Sequence, residues 1–285
     1  MNDSLGILPK KIYSLWFQGL ESAPPLVRWN FDRWMELNPK YEFILLDEKT
    51  SLPYLSELKI DLAQITPQAK SDIIRLKILR EHGGIWTDAS VVPLQPLDDW
   101  INGALEKTDF FAFEREGVVL PMSSWFLAAK PNAVILEQWC ALVQTYWSVE
   151  RAPVHVEGQP HFVPLNPMAS MAPFNPERRT DYPYFWLHHL FGVLLQTNTE
   201  FAQAWEQRCR ISSRDAHCFA RHFNRQYKPR KNLKKVAHQL QRALGFHGIR
   251  SIKEVSVGTK MQKLDWRIKY PPAVFDGFAQ TPFDM

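Results

Sequence analysis

Ser71, Asp72 and Arg75, and further along the run Gly83-Gly84-Ile85-Trp86-Thr87-Asp88-Ala89-Ser90, are the residues whose types and spacing could do chemistry. Asp72 and Arg75 stand three apart, so on a helix they share a side. One reading is a surface ion pair worth about 0.2–1 kcal/mol. The other turns them toward a ligand, with Asp72 bonding a ribose or a base. Asp88 closes the apolar Ile85-Trp86 run. A carboxylate just past a strand's carboxyl end lies where α/β sheets bind ligands. It can ligate Mg²⁺ or Mn²⁺, hard cations that take oxygen ligands. Such a cation bridges a nucleotide diphosphate and neutralises the charge growing on a leaving phosphate. A D-x-D works because i and i+2 face one side of an extended strand. Here Ser90 holds the second position. Its hydroxyl is a weaker ligand, suited to contact through water or to a ribose. Strand-end aspartates are also common turn and cap residues, so this segment alone leaves both readings open.

These side chains need a sheet edge and a helix start to hold them. Residues 11–18 read as an apolar, aromatic first strand. Residues 24–39 read as a helix, with Leu26, Trp29, Arg33 and Leu37 near one stripe and Asn38-Pro39 as its stop. Residues 41–47 form a second strand. This β-α-β opening predicts a parallel sheet of nucleotide-binding topology. The clearest helix covers 66–84: Thr66 caps it, Pro67 suits its first position, and Gly83 takes a left-handed C-terminal cap. Ile73, Leu76, Ile78 and Leu79 form its buried side. Residues 85–92 then resume as one strand. Further strands are expected at 109–115 and 123–130, and further helices at 132–147 and 184–196. Residues 151–183 hold seven prolines and little periodicity, as lids and substrate loops do.

The 285 residues are 45% hydrophobic, enough for a large core. Cys140, Cys209 and Cys218 form no C-x-x-C pair, and read as small buried hydrophobes rather than a disulfide framework or zinc site. In MNDSLGILPKKIYSLW, Lys10 and Lys11 follow a short apolar run, the reverse of a signal peptide's order. The most apolar stretch, YFWLHHLFGVLL, is too short to span a bilayer and carries two histidines. The expectation is a cytoplasmic protein, soluble or peripheral at the inner face of the membrane. Charge is uneven: residues 208–270 hold 17 Lys/Arg against 3 Asp/Glu, whereas residues 1–207 hold 17 against 25. A basic quarter on an acidic body suggests a polyanionic partner. Residues 231–244 predict a basic amphipathic helix, with Lys231, Lys234, Lys235 and Arg242 off its apolar stripe. Such a helix either lies on an anionic membrane or packs on the body. No nucleic-acid motif accompanies the charge.

Taken together, SLWFQG, NPKYEFILLDEKT, AKSDIIRLKILREHGGIWTDASVV, DYPYFWLHHLF and MQKLDWR resemble the capsular polysaccharide synthesis glycosyltransferase family. They are more distantly similar to the D-x-D sugar-binding-region glycosyltransferases. The resemblance covers residues 10–95 well and the rest thinly, and SDIIRLKILREHGGIWTDAS is its specific part. It implies one α/β domain of GT-A type over 1–285: a Rossmann-like, mostly parallel sheet flanked by helices, with a helical C-terminal part. Residues 1–130 would bind the nucleotide sugar and 131–285 would face the acceptor. Trp16, Gln18, Ser71, Asp72, Arg75, Gly84, Trp86, Ser90 and Lys263 would contact the donor. Asp88, Ser90 and His188 would hold Mn²⁺ or Mg²⁺, with Asp88 and Asp181 as catalytic carboxylates. His189 competes with His188, and Asp181 is displaced from the family's position, which is Pro183 here. The implied reaction moves a hexose, with retention, from a UDP-sugar to a hydroxyl of a bacterial surface glycan (capsule, O-antigen or lipopolysaccharide). That acceptor could be lipid-linked.

Two rival classes stay open. A glycoside hydrolase needs two carboxylates about 5–10 Å apart, and Glu114 and Glu116 are the paired acids at strand spacing. A non-catalytic nucleotide- or glycan-binding protein would use the same cleft, with Ser90 marking a lost metal site.

Overall fold

The computed structural model describes residues 6–58, 60–115, 120–153, 181–227 and 258–280. Strand β1 (Lys11–Leu15), helix α1 (Pro25–Leu37) and strand β2 (Glu42–Leu46) open the chain. A one-turn helix α2 (Glu48–Ser51) follows, capped by Asp47, whose carboxylate accepts from the Thr50 amide. Helix α3 (Pro67–His82) leads into β3 (Gly84–Thr87). β4 (Val91–Pro93), a short α4 (Ile101–Ala104), β5 (Phe110–Glu114), β6 (Met122–Ala129) and α5 (Val134–Tyr146) come next. The remainder is β7 (Ala152–Pro153), β8 (Asp181–Tyr182), α6 (Trp186–Thr197), α7 (Thr199–Glu206), α8 (Ser213–Ala216), α9 (Cys218–Tyr227), β9 (Met261–Lys263) and α10 (Pro272–Ala279).

The main sheet has the order β2-β1-β3-β6-β5. β1 pairs in parallel with β2 and β3, while β6 runs antiparallel to both β3 and β5. Four strands therefore share one direction, and the sheet is the mostly parallel, helix-flanked α/β type that the sequence predicts. Such sheets are covered on both faces. One face packs Ile73, Leu76, Leu79, Trp139, Leu190 and Phe191, from α3, α5 and α6. The other packs Trp34, Trp100, Phe111, Phe113 and Phe126, with the Phe113–Trp125 rings stacked 4.9 Å apart.

The start of α3 follows its sequence signals: the Thr66 hydroxyl accepts from the Ala69 amide at 3.3 Å, and Pro67 opens the first turn. Its end differs from a left-handed cap. Gly83 has φ 62° but ψ −163°, a combination essentially restricted to glycine. Gly84 follows at φ 96°, and a Cβ there would lie 2.8 Å from the Lys11 carbonyl oxygen. This glycine pair lets α3 turn directly into β3 beside β1. Gly84→Ala is expected to cost about 3 kcal/mol. Urea denaturation would show this as a lowered midpoint, with Gly103→Ala, where nothing lies within 4 Å, as control. Equal midpoints for the two variants would contradict the close approach.

The expected single strand over 85–92 is corrected. β3 stops at Thr87, and the Val91 amide bonds the Asp88 carbonyl at 2.9 Å, closing a turn. Side chains of α1 explain the break. Asn30 Nδ2 donates to the carbonyls of Ala89 (2.9 Å) and Val91 (2.6 Å), and Trp34 Nε1 donates to Val91 at 2.8 Å. Those carbonyls are no longer available to a ladder. β4 instead pairs with β9, Val91 opposite Lys263.

The expected helix over 231–244 lies outside the described residues, as does most of the expected loop over 151–183. Among the described residues no helix is long and apolar enough to cross a membrane. The three cysteines are free, with Cys140 buried.

Candidate active site

The chain runs from β1 outward to β2 and then crosses back over β1 through α3 to β3, so the connections diverge between β1 and β3. Ligands bind at such a switch point, past the carboxyl ends of the strands. A cleft of about 770 Å³ opens there. Trp16 and Gln18 enter it from the end of β1, Asp88 and Ser90 from the turn after β3, and Ser71, Asp72 and Arg75 from the first turns of α3. The antiparallel β6 brings its opposite end, Ser123 and Ser124, to the same edge.

Arg75 is the hub of this edge. It is 5% exposed. Nη1 donates to the Ser124 carbonyl (2.8 Å) and hydroxyl (2.9 Å) and pairs with Asp72 at 3.2 Å. Nη2 donates to the Ser71 hydroxyl at 3.1 Å and pairs with Asp88 Oδ1 at 3.2 Å. Nε reaches the Ser71 carbonyl at 3.3 Å, and the guanidinium lies 5.3 Å from the Trp86 ring centre. All faces of the guanidinium fork are engaged. Of the two readings of Asp72 and Arg75, the surface pair is excluded, because Arg75 is buried and anchors the cleft wall.

Asp88 is held from both sides. Oδ1 accepts from Trp86 Nε1 at 3.1 Å and faces Arg75. Oδ2 accepts from Lys263 Nζ at 2.8 Å, and Lys263 also donates to the Ser90 hydroxyl at 2.8 Å. Burial would raise the Asp88 carboxyl, but Lys263 and Arg75 more than offset it and hold it below the usual range. Asp72 moves the other way. Burial lifts it to about 7 against the pull of Arg75, and Asp88 adds to the rise. Asp72 therefore gains its negative charge as pH rises through about 7. That charge competes for Arg75 and repels an anion in the cleft. The affinity of Asp72→Asn for pyrophosphate, relative to the unsubstituted protein, is expected to rise with pH across this range. Isothermal titration at several pH values checks it; a flat ratio would contradict it.

His188, on α6, lines the cleft, is 7% exposed, and leaves Nδ1 without a partner. Burial lowers its pKa to about 3, helped by Arg115 and Arg75, so it is neutral. Trp16 meets Trp266 edge-on at 5.2 Å, and Trp266 is 39% exposed at the mouth. Gly84 does not line the cleft; its part is the backbone approach to β1. Asp181 stands in β8 opposite Ala152, and its side chain lies outside the described residues. Glu114 pairs with Arg208 (2.8 Å) and Arg210 (3.4 Å) away from the cleft, and Glu116 lies outside the described residues. Glu114, the described member of the pair a glycoside hydrolase would need, is not part of the cleft lining.

The sequence reading missed Arg115, Ser124, Tyr184, His217, Trp266 and Arg267, all of which line the cleft. Trp266 and Arg267 carried a signal, since they continue the MQKLDWR segment beside Lys263. The basic quarter carried another: Arg214, Arg221, Lys263 and Arg267 all face the cleft.

A divalent cation at this edge would need several oxygen ligands free to turn toward it. The oxygens of Asp88 already meet Trp86, Arg75 and Lys263, and Ser90 meets Lys263. Among the described residues no three of His, Cys, Asp and Glu gather to hold a metal. Asp88 and Ser90 with an ammonium between them do not fit Mn²⁺ or Mg²⁺, which take several oxygen ligands, and His188, whose unpartnered Nδ1 lines the same cleft, joins no three-ligand cluster among the described residues.

A family model described as capsular polysaccharide synthesis protein matches residues 4–156, more than half of the chain. The initiation-specific alpha-1,6-mannosyltransferase of Candida albicans is 30% identical over 125 residues, covering 39% of this chain and 31% of its own length. Glycosyltransferase afumC of Aspergillus fumigatus is 25% identical over 158 residues, covering 48% and 40%. The chain thus spans less than half the length of these relatives. The UDP-bound glycosyltransferase domain of the YGT toxin is similar at 10% identity and a TM-score of 0.41, over 87% of this chain and 91% of that one.

Proposed function

We propose that this chain, which belongs to the capsular polysaccharide synthesis protein family, is a glycosyltransferase that moves a sugar from a nucleotide diphosphate sugar to a glycan hydroxyl. One observation carries the reading. At the switch point of the sheet, the cleft is lined by six Lys/Arg side chains against three aspartates, with tryptophans at its mouth. A nucleoside diphosphate has the matching chemistry, an anionic centre beside a flat ring. The enzyme activities named for the fungal relatives agree with it.

In the proposed reaction the bond from sugar C1 to the phosphate oxygen breaks, and its electron pair stays on the departing diphosphate. The acceptor oxygen bonds to C1 and loses its proton. With retention and front-face attack, the departing phosphate oxygen takes that proton. Lys263, set by Asp88 and Ser90, faces the growing phosphate charge, where a preorganised donor lowers the barrier most. Arg75 fixes Asp88 and the start of α3. Trp16 and Trp266 offer apolar faces to the base, and neutral His188 offers Nδ1 to a sugar hydroxyl. The family's description favours a surface polysaccharide as the acceptor.

Calorimetric titration with UDP and GDP tests the reading. At least one is expected to bind with a Kd of about 1–100 μM, in the usual range for enzyme substrates. Failure of both to bind at about 1 mM, the upper end of that range, would overturn the proposal.

A further inference from the structure

We infer that Lys263 takes the place of a divalent cation, so that the diphosphate is held and released by fixed side-chain cations and no metal is required. The inference rests on the proposed function for its ligand and on the donor set for everything else.

The ammonium sits between the two positions that would share a cation in a D-x-D, 2.8 Å from Asp88 Oδ2 and 2.8 Å from Ser90 Oγ. Those are charge-assisted hydrogen-bond distances. Ser90 is also explained. A neutral hydroxyl is a poor substitute for a carboxylate on a metal, but a good acceptor for an ammonium. A lysine has three N–H donors. Two meet Asp88 and Ser90, and the third is left to a phosphate oxygen.

Lys263 is delivered by a fastened strand. The Leu264 amide bonds the Ser90 carbonyl at 3.0 Å, and β4 pairs with β9 across Val91 and Lys263. Gln262, fully buried, accepts from the Phe219 amide at 3.0 Å and donates to the Asp215 carbonyl at 2.9 Å. The strand is thus tied to the turn on one side and to α8 and α9 on the other. The Nζ position is preorganised, as a group that replaces a metal needs to be.

Charge balance is a second, separate observation. A site that loads a dication needs an excess of acid. This cleft carries Arg75, Arg115, Arg214, Arg221, Lys263 and Arg267 against Asp72, Asp88 and Asp265. The lining is already cationic, and a diphosphate supplies the missing negative charge with no ion added. A dication beside Lys263 and Arg75 would instead be repelled.

The test uses the full chain with UDP and GDP by calorimetry, first in excess EDTA and then in Mn²⁺, and Mn²⁺ alone by loss of its free electron-paramagnetic signal. Nucleotide affinity is expected to agree between the two conditions within about twofold, and Mn²⁺ alone to stay free. Lys263→Met should lose about 10–100-fold in EDTA, the usual effect of a charge-assisted hydrogen bond. Lys263→Asp, which sets a second carboxylate beside Asp88, should bind nucleotide only with Mn²⁺. A tenfold or greater gain with Mn²⁺ in the unsubstituted protein would overturn the inference. So would Mn²⁺ uptake that disappears in Asp88→Asn. If neither nucleotide binds, the proposed function fails by itself. The Mn²⁺ signal then decides this inference without it, an ion left free sustaining the closed Lys263–Asp88 pair.

Discussion

Asp88→Asn is expected to lower sugar transfer by about 100–1,000-fold, the usual loss when a preorganised electrostatic group is removed from an active site. The fold should survive. The Asp88 side chain is 26% exposed, so losing its pairs costs stability only about 1–2 kcal/mol once solvent screening is counted. The functional cost is larger because Asp88 aims two cations. Its Oδ2 fixes Lys263 and its Oδ1 restrains Arg75. An asparagine keeps the shape and one acceptor, but turns an N–H toward one of those cations and removes the charge that held both. Rates measured beside the urea midpoint separate the two effects. A drop in transfer no larger than the drop in folded protein would show Asp88 to be a structural turn residue.

Arg75→Met should act mainly on stability, by about 3–5 kcal/mol, the cost of leaving buried charges without their partner. Removing the guanidinium leaves Asp72 and the Ser71 and Ser124 groups without their partner and takes from Asp88 one of its two cations. Arg75→Lys should rescue little. An ammonium cannot copy a planar fork that contacts β6, α3 and the 88–91 turn at once. Asp72→Asn combined with Arg75→Met should cost less than the sum of the two, because the residues share a contact. Urea denaturation gives all three values. A change below about 1 kcal/mol for Arg75→Met, as surface ion pairs give, would contradict its place as the hub.

Much of this site was legible in the sequence because its signals are local. Thr66, Pro67 and Gly83 mark the ends of α3, and three-residue spacing sets Asp72 beside Arg75 on it. The apolar runs of β1 and β2 around α1 gave the parallel sheet, and hence the edge where Asp88 lies. The parts that were not legible depend on contacts far apart in the chain. Asn30 and Trp34 bend residues 88–91 into a turn from about sixty positions away, and no periodicity in 85–92 records that. The direction of β6 decides that Ser124 meets Arg75. The pairing of β9 with β4 puts Lys263 against Asp88 from 175 positions away. The family resemblance assigns Lys263 to the donor and the cation to Asp88, Ser90 and His188. The geometry brings Lys263 and Asp88 together, and that contact turns the question from which metal to whether one is needed.

The most direct measurement is donor turnover by the full chain. UDP- and GDP-sugars are supplied singly in EDTA, and release of the free nucleoside diphosphate is followed by chromatography, with Asp88→Asn run in parallel. The predicted result is that one donor is consumed with EDTA present and that Asp88→Asn leaves it intact. Consumption of no donor above the protein-free blank, with EDTA or with Mn²⁺, would contradict a glycosyltransferase cleft built on Arg75, Asp88 and Lys263.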